Sequence, residues 1–452
     1  MSNHEKFNFK SLEEIKTKVD DLKVDISFDE DISPLFAPKR IGKLTAPNSM
    51  AVLPMEGCDS NTDGSPSQLV YDRYEKLARG GYGLIWFEAN AVVCEGRANE
   101  LQMMLTASNV SKFKDLVDTV RKDAKEIYGE DHNPILILQL THSGRYSRPE
   151  GHLSRPLVPQ HDPYLDKGNE VIVTDEYLDS LTQRYVESAL LAKEAGFNGV
   201  DVKACHRYLV NELLASHTRE GKYGGSFENR SRFLLQTIKA VKQACGEDFI
   251  VASRFNVFDA HPYPYGFGSD KEDFWKFDEE EPIKLVKAMV EAGVELLSNS
   301  GGNPYYIYPQ VTRPFDTSSY GIPTPQEHPL ESIERLFYLT SVVQKAAGDV
   351  PVVGNGYSWL RQFIPYVGAS NLKNGKCSFI GFGRSSFAYP DGPADLMKDG
   401  YMHPEKCCIT CSLCTQIMRD HGTTGCVVRN SKVYMPLYKK FNAEAVIREN
   451  RK

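Results

Sequence analysis

The chain has 452 residues, with 53 basic and 60 acidic side chains and a formal net charge of −7. That length can bury a full core without covalent staples, and the mild acidity argues against a nucleic-acid or anionic-membrane surface. No uninterrupted apolar run approaches membrane-spanning length, and the charged start, MSNHEKFNFKSLEEIKTKVDD, lacks the apolar centre of a signal segment. Five of the ten cysteines, at 58, 94, 205, 245 and 377, are scattered without framework spacing, which points to a reducing cytoplasm.

Residues 1–33 read as an acidic, partly helical arm with no repeated apolar partner. From residue 34 onward, short β-branched or apolar runs alternate with amphipathic stretches. The expected strands are SMAVLPM (49–55), GLIWFEANAVV (83–93), PILILQL (134–140), GVDVKA (199–204), FIVASRF (249–255), VELLSNS (294–300), VPVVGNG (350–356) and CSFIGFG (377–383). The clearest helix lies at 175–197, where apolar residues recur three to four apart, Asp175 can cap the start and Gly196 can end it. FENRSRFLLQTIKAVKQACG and PIKLVKAMVEAG follow the same plan.

Eight strand–helix units in a row imply parallel strands joined by helical crossovers. An open doubly wound sheet is one solution; a closed (β/α)₈ TIM barrel over 34–400 with enlarged loops suits the spacing better. Residues 401–452 fall outside that count and end in VYMPLYKKFNAEAVIRENRK, a short tail helix. No G-x-G-x-x-G strand–helix unit occurs, which excludes a Rossmann-type dinucleotide fold.

In such a barrel the chemistry lies at the C-terminal ends of the strands, and here those ends are polar. Gly354-Asn355-Gly356 and Gly381 through Arg384 place glycines where backbone N–H groups can approach an anion, with Arg384 as a fork of donors. Lys203, His206 and Tyr208 follow the fourth strand and project into the mouth, two donors for a substrate oxygen and one acid. Isolated, they would pass for a solvated lysine and a loop histidine.

The run YGGSFENRSRF closing that segment, together with QLTHSGRYSRP, SNSGGN and GRSSFAYPD, resembles the Old Yellow Enzyme family of flavin oxidoreductases. The resemblance covers residues 34–435 with the motifs in order. It is strongest to the iron–sulfur subgroup of 2,4-dienoyl-CoA reductase, trimethylamine dehydrogenase and the bacterial bile-acid oxidoreductases. It implies FMN at the barrel mouth. Pro54, Met55 and Glu56 would lie along the flavin ring with Ala89 beside them, and Gln139 would read the pyrimidine edge. Arg254 would stand near N1 and O2, and Gly354, Gly356, Gly383 and Arg384 would cradle the phosphate. Lys203 and His206 would bind the substrate carbonyl or the flavin edge, and Tyr208 would donate the proton. Three positions depart from the family pattern: Lys203 replaces the usual His, Arg207 a Gly, and Glu56 a Thr, Cys or Gly. Lys203 and Arg207 together suggest an acidic or conjugated-oxygen substrate, although Arg207 can equally pair with a nearby acid.

The other five cysteines crowd into KCCITCSLCTQIMRDHGTTGC, 406–426. Cys408, Cys411, Cys414 and Cys426 are spaced to wrap a [4Fe–4S] cubane, with Cys407 as the alternative first ligand; spacing alone leaves a structural Zn²⁺ open. The resemblance implies the cluster. Long members of the subgroup continue into FAD- and NAD(P)-binding segments, so the stop at Lys452 suggests electrons from NAD(P)H directly or from a separate reductase or ferredoxin-like donor. The implied activity is ene-reduction, in which reduced FMN passes hydride to a C=C bond conjugated to a carbonyl. Steroids, bile acids, enoates and linear tetrapyrroles are the substrate classes. Oxidative amine dehydrogenation or demethylation, and a non-catalytic electron-transfer module, are the alternatives; a homo-oligomer is compatible with each. The aromatic insert NPYYIYPQVTRPFD (303–316) reads either as a roof for a flat substrate or as a self-packed loop.

Overall fold

The computed structural model describes residues 4–449 save 152, 166–167, 306–310 and 316–324. Eight strands close into a barrel: β1 Met50–Val52, β2 Leu84–Ala91, β3 Ile135–Thr141, β4 Gly199–Val202, β5 Ile250–Phe258, β6 Leu296–Gly301, β7 Val352–Gly354 and β8 Phe379–Phe382. All neighbours are parallel and follow chain order, and Ile380 pairs with Met50 to close the ring. The principal crossover helices are α1 Gln68–Arg79, α2 Val110–Tyr128, α3 Asp175–Glu194, α4 Phe227–Cys245, α5 Glu280–Glu291, α6 Pro329–Ala347 and α7 Ile364–Lys373. The eight expected strands are all present and the closed barrel, not the open sheet, is the fold.

The near-continuous apolar strands follow from burial on both faces. Alternate residues serve different layers: Leu84 and Trp86 join Ile135, Ile137, Ile250, Ala252 and Phe379 in the lumen, whereas Ile85, Phe87, Leu136 and Leu138 pack outward among the helices. A hairpin of Lys39–Ile41 with Leu44–Ala46 adds Ile41 and Ala46 to the lumen cluster. At β8 the backbones come close: a Cβ on Gly381 would sit 2.2 Å from the Gly354 carbonyl oxygen, so no side chain fits there.

Three details differ from the sequence reading. Thr174, not Asp175, caps α3, its hydroxyl accepting from the Tyr177 N–H. Asp175 is instead the first helical residue, engaged by Arg219 and the Lys222 N–H. The arm has an apolar pair after all: the helix Leu12–Leu22 buries Ile15 and Val19, and Phe7 and Phe9 pack edge-on against Trp359. The tail helix begins two residues earlier than expected and is described over Ser431–Glu449. Part of the aromatic insert, 306–310 and 316, lies outside the described residues.

The loop leaving β1 is fixed to β2 by a buried ion cluster. Arg73 of α1 grips both oxygens of Asp59 (2.7 and 2.8 Å) and Glu88 (2.6 Å), and Glu88 accepts from the Gly57 N–H at 2.6 Å. Arg73→Ala leaves two buried carboxylates without their cation and should cost ~3–5 kcal/mol. Denaturant unfolding at neutral pH measures it; a loss below about 1 kcal/mol would show that the cluster is not what fixes the loop.

Candidate active site

The strand ends open into a cavity of about 1040 Å³. Pro54, Met55, Glu56, Ala89, Gln139, Lys203, His206, Tyr208, Arg254, Gly356, Gly383 and Arg384 all line it, as the sequence leads one to expect. Two expected residues do not. Gly354 is packed behind the wall, its Cβ position 3.1 Å from the Tyr357 hydroxyl and 3.3 Å from Cys377 Sγ. Arg207, discussed below, faces another way.

One side of the cavity is built on a buried carboxylate. Asp201 Oδ2 accepts from Gln139 Nε2 (2.6 Å) and Trp86 Nε1 (3.1 Å), and Oδ1 accepts from the Arg254 N–H (2.8 Å). Burial raises the Asp201 carboxyl to about 6, against the pull of those donors. Because the Gln139 amide nitrogen is committed to Asp201, its carbonyl oxygen is left to serve as an acceptor. Arg254 Nη1 donates to the Pro54 carbonyl at 3.3 Å, while its Nε is buried without a partner among the described residues. At another wall Gly356 adopts φ +94°, the left-handed region that glycine tolerates, and Gly383 leaves its Cβ position clear to 3.8 Å. Arg384 donates to the Pro314 carbonyl (2.7 Å) and reaches Ser412 Oγ (3.4 Å).

The facing wall carries the acid–base groups. After β4 the chain reverses through two consecutive left-handed residues, His206 (φ 62°) and Arg207 (φ 58°). The reversal sends neighbouring side chains to opposite sides. His206 Nε2 meets Ser300 Oγ at 2.9 Å in the cavity. Arg207 is buried in an acidic cage instead, 2.9 Å from Asp162, 3.4 Å from Asp259 and 3.5 Å from Glu212, and donates to the Tyr265 carbonyl. Desolvating a guanidinium demands such partners, so Arg207 is a structural cation and not a mouth residue.

Lys203 Nζ lies 3.8 Å from the centroid of the Tyr208 ring. Burial pulls its pKa down. The Tyr208 hydroxyl is 3.3 Å from both Glu56 Oε2 and the Tyr305 hydroxyl. Burial first, then the neighbouring Glu56 charge, pushes Tyr208 well above the usual phenol value. Burial also raises Glu56, which Gln102 holds through its other oxygen at 2.5 Å. Burial first, then Arg254 and Lys203, pushes His206 well below its ordinary value. Asp201 was not singled out from sequence; Ser300 figured only as one polar strand end and Tyr305 only as part of the aromatic insert. Only Asp201 had a legible signal, a lone carboxylate in the apolar run GVDV.

The cysteine segment forms part of the same cavity wall through Cys414, Thr415, Met418 and Thr424. Cys408, Cys411, Cys414 and Cys426 surround an adjoining cavity of about 350 Å³, and Arg384 and Cys414 line both. Cys407 does not line it; its thiol donates to the His403 carbonyl. Backbone N–H groups of Thr410 and Arg429 point at Cys408 Sγ (3.4 Å) and Cys426 Sγ (3.3 Å). Among the described residues, no three cysteine sulfurs lie within 4.8 Å of one another. A tetrahedral zinc with Zn–S near 2.3 Å would hold them about 3.8 Å apart.

Comparison with known proteins agrees with this geometry. The sequence profile of the NADH:flavin oxidoreductase / NADH oxidase family matches residues 34–297. The chain is 29% identical over 393 residues to an NADH oxidase of Thermoanaerobacter brockii, covering 84% of this chain and 53% of that protein. It is 26% identical over 403 residues to a cinnamate reductase of Clostridium sporogenes, covering 87% and 57%. The chain thus spans little more than half the length of these relatives. The solved 2-naphthoyl-CoA reductase complex with 2-naphthoyl-CoA shares the fold, with TM-score 0.70 at 22% identity over 88% of this chain and 57% of that one.

The depressed His206 value has a direct consequence. A neutral buried imidazole takes up its proton later than the unfolded chain does. The stability it contributes is therefore present above the unfolded value of about 6.5 and lost as pH falls below it. Nitrogen-detected imidazole spectra of His206 should stay unchanged from pH 8 to pH 5.5; a titration centred near 6.5 would contradict the burial argument.

Proposed function

The chain belongs to the NADH:flavin oxidoreductase / NADH oxidase family of flavin-dependent oxidoreductases, and from that premise we propose that it is an FMN-dependent ene-reductase carrying a [4Fe–4S] cluster. The observation that carries the proposal is one cavity lined by Lys203, His206 and Tyr208 together with Gln139 and Arg254.

The residues suit a bound flavin. Arg254 Nε is a buried donor awaiting an acceptor, and the Gln139 carbonyl is an acceptor awaiting an imide N–H. Gly356, Gly383 and Arg384 offer space and charge for a phosphate. We assign residues 34–400 to the flavin-binding barrel and 401–452 to the cluster segment and tail. Cys408, Cys411, Cys414 and Cys426 suit a cubane because they line one cavity and their spacing, three close cysteines and one distant, matches a cluster wrap. Cys407, whose thiol donates to the His403 carbonyl, is left outside our ligand set.

Bound FMN supplies hydride chemistry, and a cluster beside it supplies single electrons from a separate reductase or ferredoxin-like donor; NAD(P)H is the alternative donor. The protein's own groups do the rest. Lys203 and His206 hold the acceptor's carbonyl oxygen and stabilise the enolate charge that develops there. The Tyr208 hydroxyl gives its proton to the carbon next to that carbonyl. Its high pKa keeps it protonated at neutral pH but makes the phenolate left behind unfavourable. Glu56, whose pKa burial raises, accepts from the Tyr208 hydroxyl at 3.3 Å and is placed to relay a proton back to it. The cationic lining, with Lys203 and Arg254, disfavours the oxidative amine reading because an ammonium substrate would meet like charge.

An anaerobic visible spectrum with flavin and metal analysis tests the cofactors: about one FMN and about four irons per chain are expected. Cys408→Ser should lose the iron and Cys407→Ser keep it. Zinc in place of iron would remove the cluster, and absent flavin would remove the whole reading. Tyr208→Phe should slow acceptor reduction ~10²- to 10⁴-fold with flavin retained. Glu56→Gln should slow steady-state turnover more than the first turnover in stopped flow, whereas equal slowing would deny Glu56 the reloading role.

A further inference from the structure

Glu56, Tyr305 and Met418 line the cavity just described and also a second chamber of about 1430 Å³ beside it. The second chamber carries three arginines, and their circumstances differ. Arg145 is neutralised by Glu212 (2.6 Å) and by Glu170. Arg419 donates to the Pro304 carbonyl. Arg148 is half-buried in the wall and has no ion pair among the described residues. The ionisable groups its charge senses are Tyr305, Tyr208 and Tyr146, with no carboxylate among them. A guanidinium drawn partly out of water beside three phenols lacks the anion that normally offsets its desolvation. Its planar fork is shaped for a carboxylate. It also provides the second cation near the mouth that Arg207, sealed in its acidic cage, does not.

We propose that Arg148 anchors a carboxylate carried by the acceptor at the end away from its reacting double bond. The acceptor then spans both chambers, its carbonyl at Lys203 and His206, its acid at Arg148, with Tyr305 and Tyr208 between them. The matching substrate class is an apolar, flat enone bearing a distal acid. This rests on the reading of the first cavity as the site of double-bond reduction, but the binding half can be tested separately.

The test compares 4-(3-oxobut-1-enyl)benzoate with the corresponding neutral benzamide as acceptors, in the cofactor-loaded protein and its Arg148→Gln and Arg148→Lys variants. The carboxylate-over-amide ratio of kcat/KM should fall roughly 10- to 100-fold in Arg148→Gln, the loss of one charge-assisted contact, and less in Arg148→Lys. Calorimetric binding of the saturated product, 4-(3-oxobutyl)benzoate, should weaken by the same factor relative to its amide. A ratio unmoved in both measurements overturns the proposal. So does a loss confined to reduction by NADPH, which would assign Arg148 to a nucleotide phosphate. If the wild-type protein reduces neither enone yet binds the saturated carboxylate through Arg148, the anchor stands and the ene-reductase reading falls. Circular dichroism and flavin content of both variants exclude misfolding as the cause.

Discussion

In the lumen of the barrel the carboxylate of Asp201 accepts three hydrogen bonds, from Trp86 of β2, Gln139 of β3 and the backbone of Arg254 of β5. Four adjacent strands are thereby joined at the level where the apolar lumen gives way to the cavity. Hydrogen bonds to a charged acceptor contribute roughly 1.5–3 kcal/mol each, and burial works against them, which is why the group titrates at about 6. The arrangement has a second effect. It fixes which end of the Gln139 amide faces the cavity and which side of Arg254 is tethered, so acceptor and donor are set before any ligand arrives.

The same logic, a buried charge dictating orientation, separates His206 from Arg207. Adjacent side chains end on opposite sides of the wall because the backbone passes through two left-handed residues. Such conformations cost energy for residues with a Cβ and persist where surroundings over-determine them. The acidic cage of Asp162, Glu212 and Asp259 supplies that determination by holding the guanidinium. Arg207 thus supports the geometry of its neighbour without facing the cavity itself.

The cysteine segment is not an appendage. Cys414 and Arg384 belong to two cavities at once, so a group held by the four cysteines and a group held at the barrel mouth would be separated by a shared wall. Tight packing maintains that wall: Gly422 and Gly425 leave no room for a Cβ against the rings of Phe441 and Tyr434 in the tail helix. The tail helix therefore braces the cysteine loop.

Much of this was legible in the sequence. Short, near-continuous apolar runs alternating with helical periodicity specify a parallel barrel, because each unit can bury its apolar faces only against the next. The polar strand ends followed from that fold, and twelve of the cavity-lining residues could be named from motifs in order along the chain. What the sequence by itself could not determine was direction. Arg207 and Arg148 are both arginines in polar loops, and nothing in their neighbours' letters says that one is caged by acids distant in the chain while the other has no ion pair among the described residues. Cys407 and Cys408 are adjacent thiols, and only the path of the loop turns one toward His403 and the other toward Cys411, Cys414 and Cys426. Asp201 and Tyr305 gained their importance from partners on other elements. Residue type and spacing set the fold and the chemistry available; tertiary packing decided which charges are neutralised and which are left facing a cavity, because desolvation is a property of the surroundings and not of the residue.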